Sequence, residues 1–416
     1  MKICIHRGTQ EIGGTCIEME AQGKRIVLDV GLPLDADETK DIKDLLPNVS
    51  GFAEKDETLL AAAISHPHQD HYGLARYIRP DIPVMIGKSA NDILKAASKF
   101  VPDGKYFSNT IYYESWKPTE IGPFTITPYL MDHSAYDAYA LLIEADNKRV
   151  FYSGDFRGHG RKEKLFDHIL KNPPKNIDVL LMEGTTVSRE GTEIGFPTEQ
   201  DLEQKFIEDI KKTKGIYLVN ASAQNIDRIV TIYKSAIQNG RKMVIDLYTA
   251  LVLEATGNAK IPQSYWDDVR VFIPQRQRIQ IKKQEYFDDV KRHRVNRIFP
   301  EDLAKNPSKF VMIFRPWMRE DIDRMGCADG AGFAYSMWGG YLGQPENNAF
   351  LEWLDERGIP MAKIHTSGHA PLADLKRFAK AINPKKLIPI HSFETESFGD
   401  HFDNVENRND GEWWGV

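Results

Sequence analysis

The chain has little of what would place it in a membrane, in an oxidising compartment or on a polyanion by bulk charge. No apolar run approaches the roughly 18 residues that a membrane span needs, so no transmembrane segment is expected. The opening residues, MKICIHRGTQEIGG, turn polar and glycine-rich too early for the apolar core and cleavage site of a secretory signal, and a cytoplasmic location is expected. Cysteine is scarce: Cys4, Cys16 and Cys327 stand far apart. They form neither a disulfide framework nor a CxxC metal site, and read as small buried hydrophobes. Positive charge is not in excess, since 54 Lys and Arg against 60 Asp and Glu give a formal −6, and any polyanion would have to be bound locally. The richest local stretch, Arg270 to Arg297, holds nine Lys and Arg against three Asp and Glu, and such a run is first of all a solvated helix face. There is no internal repeat, low-complexity tract or long linker.

What is present is enough chain for a large core. With 416 residues, 41% of them hydrophobic and 27% charged, the composition suits two or three globular domains, or one domain with a large insertion. Apolar and polar residues alternate around a glycine turn in MKICIHRG and CIEMEAQGKRIVLDVGLP, a hairpin or meander ending at Asp29. An apolar run from Leu59 to Ile64 leads into His66, and helical patterning resumes at Gly73, which places the segment between them on a strand-to-helix loop. FTITPYL, AYALLIEA and RVFYSG, with a turn at Asp146-Asn147-Lys148, form a second strand-rich stretch ending at Asp155. The strand Ile177 to Met182 ends at Glu183. From about Pro197 helix and strand patterns alternate, as in DLEQKFIEDIKKTK, GIYLVNAS and NIDRIVTIYKSAIQNG, which indicates an α/β segment with a mostly parallel sheet. The expected division is 1–195, an inserted α/β domain at 196–345, and a return segment at 346–416 that closes with a helix in DLKRFAKAIN and a strand in PKKLIPIHSF ending at His391.

Chemistry concentrates at these strand ends. In His66-Pro67-His68-Gln69-Asp70-His71, His66 and His68 are two apart in extended chain and share a side, so they can serve one metal ion. Asp70 and His71 follow the turn into the helix and can reach a neighbouring one. A metal hydrolase needs neutral imidazoles and carboxylates at about 2.0–2.2 Å from each ion, with room left for water. His133 in LMDHSAY, Asp155 in YSGDFRGHGR and His391 in IPIHSFE stand where other strands stop. With His365 and His369 of HTSGHA, seven of the twelve histidines fall in these motifs, too many for scattered structural use.

The order HPHQDH, DHSAY, SGDFR resembles the metallo-β-lactamase superfamily, whose fold is an αββα sandwich. Glu183 at its strand end, His369 in HTSGHA and His391 in IPIHSFE are similar to the three motifs of the β-CASP branch, which carries an inserted α/β domain between the first and second of them. GTQEIGGTC and LIPIHSFE look most like RNase J and its bacterial relatives. The resemblance implies one metal on His66, His68 and His133, a second on Asp70, His71 and His391, and Asp155 bridging, with Asp29 orienting the ligands from behind. The donor set suits two divalent ions, zinc first and manganese as the alternative. It further implies RNA as partner and phosphodiester hydrolysis by a bridging hydroxide held by Asp70. His369, oriented by Glu183, would steady the phosphate or protonate the leaving oxygen.

Ser222 and Gln224 in ASAQNID stand where such proteins carry a Gly-Ser-Gln-Gly loop beside the 5′ phosphate, without its glycines, and His365 is a third candidate substrate contact. The chain stops about 25 residues after His391, and dimerisation through a C-terminal domain is not expected. Arg157, His159 and Arg161 read as a solvated turn in preference to an anion-binding rim. Trp338-Gly339-Gly340-Tyr341 reads as aromatics packed on a sheet in preference to a base-stacking platform. The rival functions are a hydrolase of a small ester, lactone or phosphodiester, a DNA-directed nuclease, and a scaffold without catalysis.

Overall fold

The computed structural model describes residues 1–34, 36, 41–102, 104–187, 189 and 191–416. One sheet takes β1 (Lys2–Arg7), β2 (Cys16–Ala21), β3 (Lys24–Leu28), β4 (Leu59–Ala63), β5 (Val84–Ile86) and β6 (Thr110–Tyr112). A second takes β7 (Thr119–Ile121), β8 (Phe124–Met131), β9 (Ala138–Ala145), β10 (Lys148–Tyr152) and β11 (Val179–Glu183). A third takes β12 (Tyr217–Asn220), β13 (Lys242–Asp246), β14 (Val269–Phe272), β15 (Phe310–Ile313), β16 (Gly332–Tyr335) and β17 (Met361–Lys363). The chain then returns: β18 (Lys386–Ile390) joins the second sheet and β19 (Trp413–Gly415) the first. Two compact units result, one of residues 1–94, 105–196 and 368–416, the other of 95–104 and 197–367.

The first unit holds two mixed sheets, ordered β19-β1-β2-β3-β4-β5-β6 and β18-β11-β10-β9-β8-β7. One core lies between them, where Ile3, Ile17 and Leu28 meet Phe124, Leu141, Ile143 and Leu181. The outer face of the first sheet buries Val27, Ala62 and Val84 with Ala90 and Leu94 of the helix Lys88–Ala97. The outer face of the second buries Leu142 and Phe151 with Phe166 of the helix Glu163–Lys171 and Phe378 of the helix Leu372–Ile382. Helix, sheet, sheet, helix is the αββα sandwich. A strand covered on both faces is nearly continuously apolar, and AYALLIEA obeys this, with Leu141 and Ile143 in the shared core and Ala140 and Leu142 under the helices. The turn from β9 to β10 passes through Asp146 and Asn147 at φ 51° and 58°, the left-handed pair that a two-residue hairpin turn requires.

The second unit is built on six parallel strands ordered β14-β13-β15-β12-β16-β17. Helix Glu199–Lys212, opened by a capping box between Thr198 and Asp201, precedes them in sequence, and helices Ile226–Gln238 and Leu247–Ala255 lie among them. This unit is longer than the expected 196–345. Phe350 and Trp353 of the helix Asn348–Glu356 belong to its core, and β17 pairs with β16, so the return begins at 368 instead of 346. A strand of three residues, Met-Ala-Lys, exposed at both ends, has no apolar run to announce it. Helix also begins earlier than expected, at Gln69 inside the histidine motif and not at Gly73.

The basic stretch is a charged helical surface balanced by acids: Arg278 pairs with Asp321, and Arg292 with Asp289 and Glu254. Trp338 and Tyr341 are exposed and touch edge to face at 5.2 Å, not packed on the sheet. All three cysteines are buried and free. No helix among the described residues is long and apolar enough to cross a membrane.

Candidate metal centre

In the first unit, strand direction gathers the donors. β3 runs parallel to β4, and β10 to β11 and β18. β8, two antiparallel pairings away, runs with β10 as well. Each of these strands ends on a donor: Asp29 after β3, His66 and His68 after β4, His133 after β8, Asp155 after β10, Glu183 as the last residue of β11, and His391 after β18. The loop from Asp29 crosses the helical turn Gln69–Tyr72, Val30 N donating to His71 O and Leu32 N to Gln69 O, each at 2.9 Å. A Cβ on Gly31 would stand 1.8 Å from Asp70 O, so only glycine lets the two backbones meet.

Asp155 is the hub. Its Oδ2 lies 3.1 Å from His71 Nε2 and 3.7 Å from the Nε2 of both His66 and His391, and His391 Nε2 is 3.7 Å from Asp70 Oδ2. On the other side His133 Nε2 is 3.1 Å from His68 Nδ1. Among the described residues, ligand atoms within 4.8 Å of one another form three sets that could each hold a cation: His66, His68 and His133; Asp70, His71, Asp155 and His391; and Asp155, Glu183 and His369, in the last of which Glu183 is already engaged by His369 Nδ1.

A layer of hydrogen bonds stands behind these donors. Asp29 Oδ2 accepts from Ser65 Oγ and lies 2.7 Å from His71 Nδ1, while Tyr152 OH donates to the same oxygen. A proton on His71 Nδ1 given to Asp29 leaves Nε2 as a lone pair facing Asp155. Ser65 Oγ also lies 3.0 Å from His66 Nδ1, and Thr15 Oγ1 3.0 Å from His391 Nδ1. Glu183 accepts from Phe156 N and Thr185 Oγ1 at 2.9 Å each, and its Oε2 lies 2.9 Å from His369 Nδ1.

Burial, reinforced by neighbouring imidazoles, holds His66 and His133 well below the ordinary histidine value, and burial pushes His68 down to about 4. Neutral imidazole is the form a metal takes. Burial acts the same way on His71, but Asp155, Asp29 and Asp70 outweigh it and raise that ring well above the ordinary value. Burial opposes charge on Asp155 also, and His391, His71 and His369 overcome it, holding the carboxyl well below the usual range. At His369 burial is again overcome, by Glu183 and Asp155, and the value rises to about 9.

The donors fit metal ions. Nε2 of His66, His71 and His391, Nδ1 of His133 and both carboxylate oxygens of Asp155 are buried without a hydrogen-bond partner among the described residues. Buried polar atoms are otherwise nearly always satisfied, and a cluster of lone pairs around a carboxylate suits divalent cations. No thiolate takes part.

Ten of the thirteen candidate site residues thus meet in the first unit: Asp29, His66, His68, Asp70, His71, His133, Asp155, Glu183, His369 and His391. The other three belong to the second unit. Ser222 and Gln224 follow β12 and His365 follows β17; Ser222 Oγ accepts from Gln224 N at 3.3 Å, and Gln224 Nε2 donates to Tyr248 OH at 3.1 Å. The solvated turn expected after Asp155 is not there. Arg157 is fully buried with its Nε 3.5 Å from Asp132 Oδ1, while Gly160 N donates to Asp132 Oδ2 at 2.8 Å. The pair ties the Asp155 loop to the residue before His133, and a buried guanidinium needs such a partner. Sequence reasoning also missed Ser65, Tyr152 and Thr185. Ser65 had adjacency to His66 as a signal; the other two had none.

The chain is similar to several known proteins. Residues 44–213 match a family model described as a β-lactamase superfamily domain, and residues 360–406 one described as a Zn-dependent metallo-hydrolase RNA specificity domain. Ribonuclease J of Mycoplasma pneumoniae is 24% identical over 94% of this chain and 67% of its own length. Ribonuclease J of Helicobacter pylori is 23% identical over 94% of this chain and 56% of its own, and that of Sinorhizobium meliloti 22% over 88% and 63%. The chain therefore spans about half to two thirds of the length of these curated relatives. A crystal structure of a protein of unknown function from Enterococcus faecalis V583 superposes with a TM-score of 0.77 at 21% identity, over 99% of both chains.

Proposed function

From a chain that belongs to the metallo-β-lactamase superfamily, in its ribonuclease J-like β-CASP branch, we propose a metal-dependent phosphodiesterase that hydrolyses RNA. The observation that carries this reading is the set of buried donor atoms without hydrogen-bond partners around Asp155. His66, His68 and His133 would hold one divalent ion, Asp70, His71 and His391 the other, with Asp155 shared; zinc suits the imidazole-rich set best and manganese second. When bound, such ions supply Lewis acidity toward a phosphoryl oxygen and acidify water near neutral pH.

The chain's own residues do the rest. Asp29 and Ser65 hold the rings of His71 and His66 in place. Asp70, at the edge of the donor set and half-buried, accepts a hydrogen bond from the attacking water and aligns it with phosphorus. Glu183 holds His369 at Nδ1, which leaves Nε2 to carry a proton to the leaving oxygen or to face the charged phosphate. RNA as substrate draws support from the relatives' names and from the RNA specificity model matched at 360–406.

The test compares metal-loaded protein with the His68→Ala, Asp70→Ala double variant on RNA and DNA of matched sequence, each with a 5′ phosphate or a 5′ hydroxyl. Cleavage of RNA by the wild type alone is expected, and its dependence on the 5′ end reports whether Ser222, Gln224 and His365 contact a terminal phosphate. Cleavage of DNA only moves the reading to a DNA nuclease. Metal uptake with neither polymer cut, and turnover of a generic phosphodiester or lactone instead, overturns it in favour of a small-substrate hydrolase.

A further inference from the structure

Because all six strands of the second unit run parallel, whatever follows a strand emerges along one edge of that sheet. In open α/β sheets this edge is where ligands bind. A cavity of about 200 Å³ lies there, walled by Tyr248 after β13, by Arg276 and Gln280 on the helix Gln275–Gln284 after β14, by Arg315 and Trp317 after β15, and by Phe100.

Its lining is aromatic and cationic in alternation. The Arg315 guanidinium lies 5.1 Å from the centre of the Tyr248 ring and that of Arg276 5.5 Å from the Trp317 ring, while Phe100 and Tyr248 have centroids 6.1 Å apart. The two arginines differ in what they have left to offer. Arg315 is ion-paired with Asp246, a carboxylate with no exposure that also accepts from Gln277 Nε2 at 2.7 Å. Its position is fixed and its charge neutralised. Arg276 is exposed and makes no ion pair with any described residue, so its charge is available to a ligand. Rings and guanidinium planes together are the groups on which unstacked bases lie, with a cation for the backbone. The volume falls short of the roughly 300–1,000 Å³ that encloses a whole drug-sized ligand, which limits the occupant to about one base.

We propose that this cavity is a binding site for a single nucleotide, its base among Phe100, Tyr248 and Trp317 and its phosphate on Arg276. The choice of a nucleotide among aromatic anions rests on the RNA reading above. The chemistry is shared by a free nucleoside monophosphate and by one nucleotide of a single strand.

The experiment uses the full chain stripped of metal by a chelator, so that no probe is cut. Binding of labelled oligouridylate is followed by fluorescence anisotropy over a range of salt, with UMP and uridine as competitors, for the wild type, Trp317→Leu, Arg276→Gln and Arg276→Lys. Trp317→Leu is expected to weaken binding about tenfold at an unchanged salt slope, the mark of lost stacking. Arg276→Gln should weaken it and lower the slope of log K against log salt by about 0.7, the mark of one lost phosphate contact on a single strand, with Arg276→Lys restoring the slope.

Competition by UMP but not uridine assigns the site to a free mononucleotide, and competition only by unlabelled strand assigns it to RNA. Probe binding indifferent to Trp317→Leu and Arg276→Gln overturns the proposal. Arg276 is a surface residue, so its variants keep the test open should Trp317→Leu fail to fold. RNA cleavage by metal-loaded protein is scored separately. Cleavage with indifferent binding removes the nucleotide site alone, and Arg276-dependent UMP binding without cleavage removes the ribonuclease reading alone.

Discussion

Two buried aspartates at strand ends, one in each unit, are surrounded in opposite ways. Asp246 caps a helix, accepting from Thr249 N at 2.8 Å and from Thr249 Oγ1, and it holds Gln277 and Arg315 besides. Every demand of its charge is met by protein. Asp155 is as deeply buried, has imidazole nitrogens at 3.1–3.7 Å and, among the described residues, has no hydrogen-bond partner at either oxygen. A buried carboxylate that protein satisfies serves structure, whereas one left facing lone pairs awaits a cation. The same residue type at the same kind of position thus stands in opposite surroundings, and on the proposed reading the difference in role lies in its partners.

Substitutions can break that contrast. Asp155→Asn removes charge from the hub without changing its shape. We expect RNA cleavage to fall by about 10³-fold or more, since Lewis-acid stabilisation supplies several kcal/mol, with bound metal reduced in elemental analysis and the denaturation midpoint little changed. If Asp155→Asn instead unfolds the protein with metal content intact, the contrast fails. Asp246→Ala should do the reverse, lowering unfolding free energy in urea by about 3–5 kcal/mol because Arg315 loses its buried partner, while metal content stays at the wild-type level.

Glu183→Gln keeps the acceptor beside His369 but removes its charge. A fall in rate of about 10²-fold at unchanged metal content is expected, and an unchanged rate would count against the role given to His369. Asp29→Ala should weaken metal affinity about 10- to 100-fold, read by competition with a chromophoric chelator.

The smallest effect concerns a third kind of buried charge. His6 lies on β1 with Nε2 2.7 Å from Glu18 Oε2, and although burial lowers its pKa, hydrogen bonds to Cys4 and Glu18 prevail and raise it to about 9. A raised value stabilises the fold fully below the unfolded value near 6.5 and is lost as pH climbs toward 9. Wild type should therefore lose stability between those limits, and His6→Gln should flatten that slope in denaturation midpoints taken across pH.

Much of the candidate centre was legible because each strand core stops abruptly at a donor. The run Leu59 to Ile64 leads to His66, IPI to His391, and VFYSG to Asp155, and the alternation of β1 to β3 carries the reader to Asp29. The end of the insertion was not legible, because β17 earns its place by pairing with β16 and not by any pattern of its own. Nor was Arg157, whose charged sequence surroundings suggest solvent, while Asp132 draws it inside from 25 residues away.

The sequence by itself determined the order of strands and helices, the parallel insertion and the chemical character of the candidate donors, since local periodicity sets elements and residue type sets ligand chemistry, while the αββα layering was implied only by the family resemblance. Only the tertiary structure decided which imidazoles share Asp155, that Asp29 sits behind His71, that Arg157 is a buried clamp, and that Arg276 keeps a free charge where Arg315 does not. Each of these depends on which distant side chain arrives as partner, and a pairing across tens or hundreds of residues leaves no mark on either segment alone.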